Sequence, residues 1–459
     1  MDIAAERAPG GVDPARPLAP EEMAEYLASG CKPREAWRVG AEHEKFGFHI
    51  GSHAPVPYEG PTGIRAMLEG LQRFGWNGVY EDEHIIALER NGASVSLEPG
   101  GQFELSGAPL VDMHEICDET GRHLTEVKAV ADALGLGFIG LGFSPLWRRD
   151  EVPVMPKGRY DIMRAYMPKR GGLGLDMMLR TCTVQANLDF ADEADMVRKF
   201  RVSLALQPVA TALFANSPFK EGRPSGFLST RANVWTDTDP DRTGLLDFVF
   251  QDGFGFETYA QYAADVPMYF AKRDGRYLDL SGRSFRAFMR GELSELPGER
   301  PTLMDWQDHL TTIFPEVRLK TYMEMRGADA GPWSQICALP ALWTGILYDD
   351  AALTSAWDLC KGWSSEDRVK LRADAARVGL KTEVVGRPLQ AVARDLIAIA
   401  RGGLKRRERL SGGMVDETGY LRELEEIAET GITPAERLLE RYHGPWGGDV
   451  RRVFDEFAY

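Results

Sequence analysis

The 459 residues include 44% hydrophobic side chains, 54 Lys and Arg against 69 Asp and Glu, and carry a formal net charge of −15. That is enough apolar surface for a large buried core, and the negative charge disfavours nucleic acid or an anionic membrane as the main partner. Any anion bound here must be held by local cationic groups or by metal ions.

Residues 1–20 contain four prolines and no apolar run of signal-peptide length, and read as a disordered arm ahead of a single catalytic domain over 21–459. A helix is expected over 21–29, ended by Gly30. Period-two alternation marks strands over 39–50, 94–106, 181–190 and 319–326, with helical stretches over 109–134 and 193–214. From about Leu339 the pattern turns helical through to Tyr459. Strands joined by hairpins and irregular excursions, without a regular βαβ repeat, give an α+β class with an antiparallel sheet. No stretch approaches the roughly 20 apolar residues of a membrane span. Five cysteines (Cys31, Cys117, Cys182, Cys337, Cys360) without a C-x-x-C pair suggest neither a disulfide framework nor a zinc site, and a reducing cytoplasm is the expected location.

In the string Gly40-Ala41-Glu42-His43-Glu44-Lys45-Phe46-Gly47-Phe48 the two glutamates are two apart, so on a strand both carboxylates leave one face. Such a pair attracts a cation, although a solvated polar strand face would look the same. The same parity turns His43 away, so it is not expected to be a ligand.

The segment 94–106 reads as a hairpin around Pro99-Gly100-Gly101. A three-residue loop sets Glu98 against Gln102 and Ser96 against Glu104, with Val95, Leu97, Phe103 and Leu105 on the other face. A two-residue loop scrambles both faces, so the pattern selects its own register. A strand over 320–327 places Glu324 and Arg326 together, opposite Met323 and Met325, either as a local ion pair or as a metal ligand beside an anion clamp. Five carboxylates on one sheet face, Glu42, Glu44, Glu98, Glu104 and Glu324, would repel one another unless cations lay between them. An oxygen-only donor set favours Mg²⁺ or Mn²⁺ over zinc.

Lys157, Arg159, Arg164, Lys169 and Arg170 precede Gly171-Gly172-Leu173-Gly174, which reads as a flexible cationic segment covering phosphates, or as an exposed charged loop. Residues 181–190 alternate Thr183, Gln185, Asn187 and Asp189 with apolar neighbours, and Ser229-Thr230-Arg231 offers a further anion binder. No P-loop, Rossmann fingerprint, nucleophile elbow or H-E-x-x-H motif is present.

With these residues in place, the chain resembles the glutamate–cysteine ligases of the plant and proteobacterial type. The match runs through 40–48, 97–107, 156–160, 181–187, Gln207-Pro208, 214–219, 235–239, 314–318, 324–329 and Trp446-Gly447. The resemblance implies a glutamine-synthetase-like fold, a curved antiparallel sheet with ATP and Mg²⁺ (or Mn²⁺) at one end and the amino acids at the other. It implies Glu42, Glu44, Glu98, Glu104 and Glu324 as metal ligands and Arg231 and Arg326 as holders of a substrate carboxylate or the transferred phosphoryl group. Lys157 and Arg159 become nucleotide contacts. The implied partners are glutamate, cysteine and ATP, joined through a γ-glutamyl phosphate in the first step of glutathione biosynthesis, in a monomer or weak homodimer. Rivals are a ligase using another amine, a non-catalytic metal or nucleotide sensor, and a Mn²⁺-dependent hydrolase. Plant members look redox-regulated through a cysteine pair bracketing a segment that here spans about 280–295. Neither position is cysteine, so that switch is expected to be absent; separately, no transit peptide is recognised, and a bacterial cytosolic enzyme is expected.

Overall fold

A computed structural model describes residues 16–459. Of the arm expected over 1–20, residues 1–15 lie outside the described residues, while Leu18 is buried and its backbone N–H donates to the Pro301 carbonyl at 2.7 Å. Helix α1 (Glu22–Ala28) follows, and Gly30 comes just after it for a steric reason. A Cβ there would lie 2.0 Å from the carbonyl oxygen of Thr321, so only glycine lets the two backbones approach.

Nine strands form the main sheet: β1 (Val39–His49), β2 (Asn77–Glu81), β3 (His84–Arg90), β4 (Ala93–Leu97), β5 (Phe103–Ser106), β6 (Leu136–Ile139), β7 (Thr183–Leu188), β8 (Val317–Leu319) and β9 (Met323–Asp329). Their order is β8-β9-β7-β1-β5-β4-β3-β2, with β6 on the far end of β1, and every pairing is antiparallel. The α+β class with an antiparallel sheet is therefore what the chain adopts. The β4–β5 hairpin takes the register of the three-residue loop: Ser96 lies opposite Glu104, Leu97 opposite Phe103, and Glu98 N–H donates to Gln102 at 2.9 Å.

One strand assignment needs correcting. Residues 319–326 are not one strand but the turn and second arm of a hairpin, in which Lys320 N–H closes onto Tyr322 at 2.8 Å and Arg318 lies opposite Glu324. Alternation alone cannot show a reversal that keeps its parity on both sides of a tight turn. The pairing of β9 with β7 also shifts register between Met325 and Ala328, a bulge that re-aims the side chains next to it.

The helices that position the site are α2 (Met113–Leu134), α3 (Gly158–Tyr166), α4 (Gly174–Arg180), α5 (Glu193–Leu213), α6 (Thr230–Val234), α7 (Trp333–Leu347) and α8 (Ser365–Val378). The Asp112 side chain caps α2 by accepting from His114 and Glu115 N–H. Asp192 caps α5 in the same way, through Asp195 N–H. Helix α7 is apolar on nearly all sides and buried over most of its length, as a helix without a polar face must be. It packs with α5 on Val39, Ala41, Val184, Ala186, Met323 and Met325 in one core. A second core joins Phe46, Val95, Leu97, Phe103 and Leu105 to Val127 and Val130 of α2. Each such aliphatic or aromatic side chain contributes about 1.5–3 kcal/mol when fully buried.

The basic segment after Lys157 is not a flexible loop. It forms α3 and α4 with a short 3₁₀ turn over Met167–Lys169, and Arg170 is tied to Asp239 and Asp241. All five cysteines are free, yet the fold brings the thiols of Cys117 on α2 and Cys337 on α7 near one another and near Tyr420. Separation in the chain hid that proximity. Among the described residues no single helix is long and apolar enough to cross a membrane.

Candidate active site

Strand β1 sits between β5 and β7, so its even-numbered face meets the polar faces of both neighbours. Glu44 lies opposite Glu104 on β5, and Glu42 lies between Gln185 on β7 and Ser106 on β5. Glu98 joins them at the start of the hairpin loop. These residues wall a cavity together with Gln102, Thr183, Gln185, Arg231, Arg318 and Arg326, under Met163, Met177, Met178, Trp235 and Phe314.

Three of the acidic residues accept from neutral donors. Glu42 accepts from Asn187 Nδ2 at 2.7 Å and Gln185 Nε2 at 3.2 Å, Glu44 from Thr183 N–H at 3.0 Å, and Glu104 from Ser96 Oγ at 2.9 Å. Burial holds the Glu44 carboxyl well above its ordinary range, and the charges of Glu104 and Glu98 push it the same way. The Glu98 carboxyl is raised too, chiefly by burial.

The basic wall is organised differently. Arg318 on β8 clasps Glu324 with both Nε and Nη2, the second at 2.9 Å, while Lys320 and Arg326 stand 3.2 and 3.4 Å from the same carboxylate. Burial would raise the Glu324 carboxyl, but Arg318 and Lys320 outweigh it and bring it down to about 2. Arg326 Nη1 donates to Gln185 Oε1 at 2.5 Å, and Arg231 Nη2 donates to the Arg326 carbonyl at 2.8 Å. Arg231 rides on α6, whose cap Ser229 accepts from Ala232 N–H while its own hydroxyl donates to the buried Asp329 carboxylate at 2.7 Å.

The fold thus gathers Glu42, Glu44, Glu98, Glu104, Arg231 and Arg326 around one cavity. Glu324 lies behind that surface, gripped by its cationic neighbours. Lys157 and Arg159 do not line the cavity: Lys157 Nζ donates to the Leu97 carbonyl at 2.8 Å, behind Glu98, and Arg159 lies over the rings of Tyr160 and Phe270. His43 faces away, buried against His123 of α2 at 5.5 Å between ring centroids. Below it Lys45 is fully buried, and desolvation pushes its ammonium down to about 7.

Sequence reasoning assigned no role to Arg318, Gln102, Trp235 or Phe314, all of which line the cavity. The available signal was the string 314–318, and its meaning depended on recognising the β8–β9 hairpin that opposes Arg318 to Glu324.

A divalent cation fits the donor chemistry here. Four glutamates present oxygen donors, which suit a hard ion that keeps part of its water. Among the described residues no three carboxylate, imidazole or thiol groups are drawn tightly enough together to grip an ion as they stand. Four like charges in a poorly solvated cavity are expected to spread.

A family model described as glutamate–cysteine ligase family 2 matches residues 38–456. The chloroplastic glutamate–cysteine ligase of Nicotiana tabacum is 57% identical over 446 residues, covering 97% of this chain and 84% of that protein. That of Arabidopsis thaliana is 56% identical over 444 residues, covering 96% and 83%. Among solved structures, the glutamate–cysteine ligase of Francisella tularensis in complex with AMP superposes with a TM-score of 0.55 at 12% identity, over 92% of this chain and 89% of that one. At that identity the likeness shows a shared fold. The relatives' names overturn the expectation of a cytoplasmic, bacterial-type location: these curated relatives are named chloroplastic, and the cytoplasmic assignment is withdrawn.

Proposed function

The chain belongs to glutamate–cysteine ligase family 2, and from that premise we propose that it uses ATP to join the γ-carboxylate of glutamate to the amine of cysteine, the first step of glutathione biosynthesis. The observation that supports this reading best is the cavity itself, in which four glutamates face Arg231, Arg318 and Arg326. Making an amide from a carboxylate requires first giving it a leaving group. A γ-carboxylate oxygen attacks the terminal phosphorus of ATP, ADP departs, and the amine of cysteine then attacks the acyl phosphate, losing a proton as phosphate leaves.

Each wall serves one part of that task. Glu42, Glu44, Glu98 and Glu104 would hold Mg²⁺ or Mn²⁺, with Glu324 able to join only by giving up an arginine; the bound ion supplies charge neutralisation on the phosphates. Arg326, fixed by Gln185, and Arg231, fixed through Ser229 and Asp329, hold the substrate carboxylate or offset charge on the phosphoryl group. Arg159, beyond the Glu98 side, would meet the nucleotide, whereas Lys157, buried with its Nζ on the Leu97 carbonyl, would reach it only by leaving that bond. Trp235, Phe314 and the methionines exclude water, which would otherwise hydrolyse the acyl phosphate. Strands β1, β5, β7, β8 and β9 all contribute to the walls, so residues 21–459 act as one catalytic domain, and the cavity is built from a single chain, consistent with a monomer or weak homodimer.

The test is ADP release by the purified protein with Mg²⁺, ATP and glutamate, comparing cysteine, 2-aminobutyrate, alanine and no amine, with the product identified by mass. Cysteine-dependent release with γ-glutamylcysteine formed is the expected result. A stronger response to another amine reassigns the acceptor, and ATP binding without release under any amine refutes the ligase reading.

A further inference from the structure

Arg231 and Arg326 reach the cavity from two separate segments, and both segments are tied to one residue that lies outside it. Helix α8 is buried in the first core through Leu371 and Ala375, and Arg372 and Ala376, also four apart, run beside them on the next strip of the helix surface. The Ala376 carbonyl accepts from the N–H groups of Leu228 and Ser229, at 3.1 and 2.9 Å, where α6 begins. Arg372 holds the other end: its Nη2 donates at 3.1 Å to the carbonyl of Trp235, the residue that closes α6. One helix thus grips α6, and with it Arg231, at both ends.

The same guanidinium reaches the second arginine. Arg372 Nε donates to Glu316 Oε1 at 2.7 Å, and the Glu316 side chain is 13% exposed. The Glu316 backbone accepts from Arg326 N–H at 3.1 Å and donates to the Gly244 carbonyl at 3.0 Å. Arg326 falls where the pairing of β9 with β7 shifts register, so the bond from Glu316 holds it at a point where that ladder is interrupted. Two rings lie over the two arginines. Trp235 is 5.9 Å from the Arg231 guanidinium, Phe314 is 5.9 Å from that of Arg326, and the rings are 6.1 Å apart. Arg372 itself lines neither the cavity nor the small recess beside it.

We propose that Arg372 is a positioning residue: by spanning Trp235 and Glu316 it sets the spacing of Arg231 and Arg326 and keeps the Trp235–Phe314 roof closed over the acyl phosphate. The inference rests on the ligase reading. A planar guanidinium suits the task because its donors form a fixed fork, whereas an ammonium is a point charge. With the span cut, the roof opens and water competes with the amine. The oxygen of water then bonds to the γ-carbonyl carbon and the bond from that carbon to the bridging oxygen breaks. One water proton goes to the departing phosphate and the other to solvent, so glutamate is regenerated and ADP has been formed without dipeptide.

The test counts products. With Mg²⁺, ATP, glutamate and saturating cysteine, the wild type should form ADP and dipeptide in equal amounts. Arg372→Gln and Arg372→Lys should each release at least about twice as much ADP as dipeptide, because neither carries the fork that closes the roof. Glu316→Gln, whose amide oxygen can still accept from Arg372, should stay coupled. A general loss of fold lowers both products together and leaves their ratio at one, so the ratio separates positioning from stability. By titration calorimetry in Mg²⁺ and ADP, Arg372→Gln should also bind L-glutamate about tenfold more weakly, the scale of one lost hydrogen bond. Equal amounts of ADP and dipeptide in either Arg372 variant, a leak in Glu316→Gln as large as theirs, or unchanged glutamate binding in Arg372→Gln would overturn the proposal. Should the wild type release no ADP with any amine, the ligase reading falls and glutamate binding alone decides the role of Arg372; a wild type that neither binds glutamate nor releases ADP ends both.

Discussion

On β1 and the β4–β5 hairpin, four carboxylates share one buried surface and are supported by neutral donors such as Gln185, Asn187, Thr183 and Ser96. Across the cavity, on β8 and β9, two arginines and a lysine stand around one carboxylate, Glu324, that is already part of the protein. The basic wall therefore carries its own counter-charge and is organised before any ligand arrives. On the acidic wall, burial and the charges of Glu104 and Glu98 hold the Glu44 carboxyl well above its ordinary range, whereas Glu324 sits at about 2. A preorganised clamp for anions thus faces a surface whose charges favour a bound cation.

The largest expected effect tests the acidic wall. Glu44→Gln should reduce ADP release by on the order of a thousandfold, through loss of an oxygen that holds the cation, and near-normal turnover would remove Glu44 from the site. The basic wall is tested by Glu324→Gln, which leaves Arg318, Lys320 and Arg326 without their shared carboxylate. A loss of about 3 kcal/mol in urea unfolding is expected. Its pH dependence has a definite sign. Because the folded-state value of Glu324 lies below the ordinary 4.5, its stabilisation is present above that pH and is lost as the pH falls toward about 2. The gap between wild type and variant should therefore close over that window.

The opposite sign applies to Glu44. Its folded-state value lies above the ordinary 4.5, so its contribution is favourable in acid and is lost as the pH rises through the higher value. Without divalent cations, Glu44→Gln should consequently melt a few degrees above the wild type at pH 7.5 and level with it below about pH 4.5. A wild type that melts higher at neutral pH would show that the acidic wall is not self-repelling. The smallest effect should fall at the seam. Gln185 accepts from Arg326 and donates to Glu42, a pairing that requires one acceptor and one donor on the same side chain. Gln185→Leu should weaken Mg²⁺ and glutamate binding together, each by about 1 kcal/mol. An effect on only one ligand would mean that the two walls are independent.

Much of this arrangement was legible beforehand where a residue's role follows from local periodicity. Glu42 and Glu44 share a face because strands alternate, and the β4–β5 register follows from keeping Val95, Leu97, Phe103 and Leu105 on the apolar side. The glycines and cations after Lys157 read as a loop, whereas Tyr160, Met163 and Tyr166, buried on one side of α3, favour the helix that forms. Residues 319–326 read as one strand in the sequence because the tight turn at Lys320–Tyr322 leaves no break in the alternation.

The sheet type, the acidic face of β1 and the hairpin that carries Glu98 and Glu104 follow from local pattern, because each is a matter of neighbours only a few residues apart. Packing decided that Arg318 clasps Glu324, that Gln185 joins the two walls and that Cys117 lies near Cys337. Those contacts depend on which strands lie side by side and where a bulge falls, and both are set by packing the two cores rather than by any local pattern.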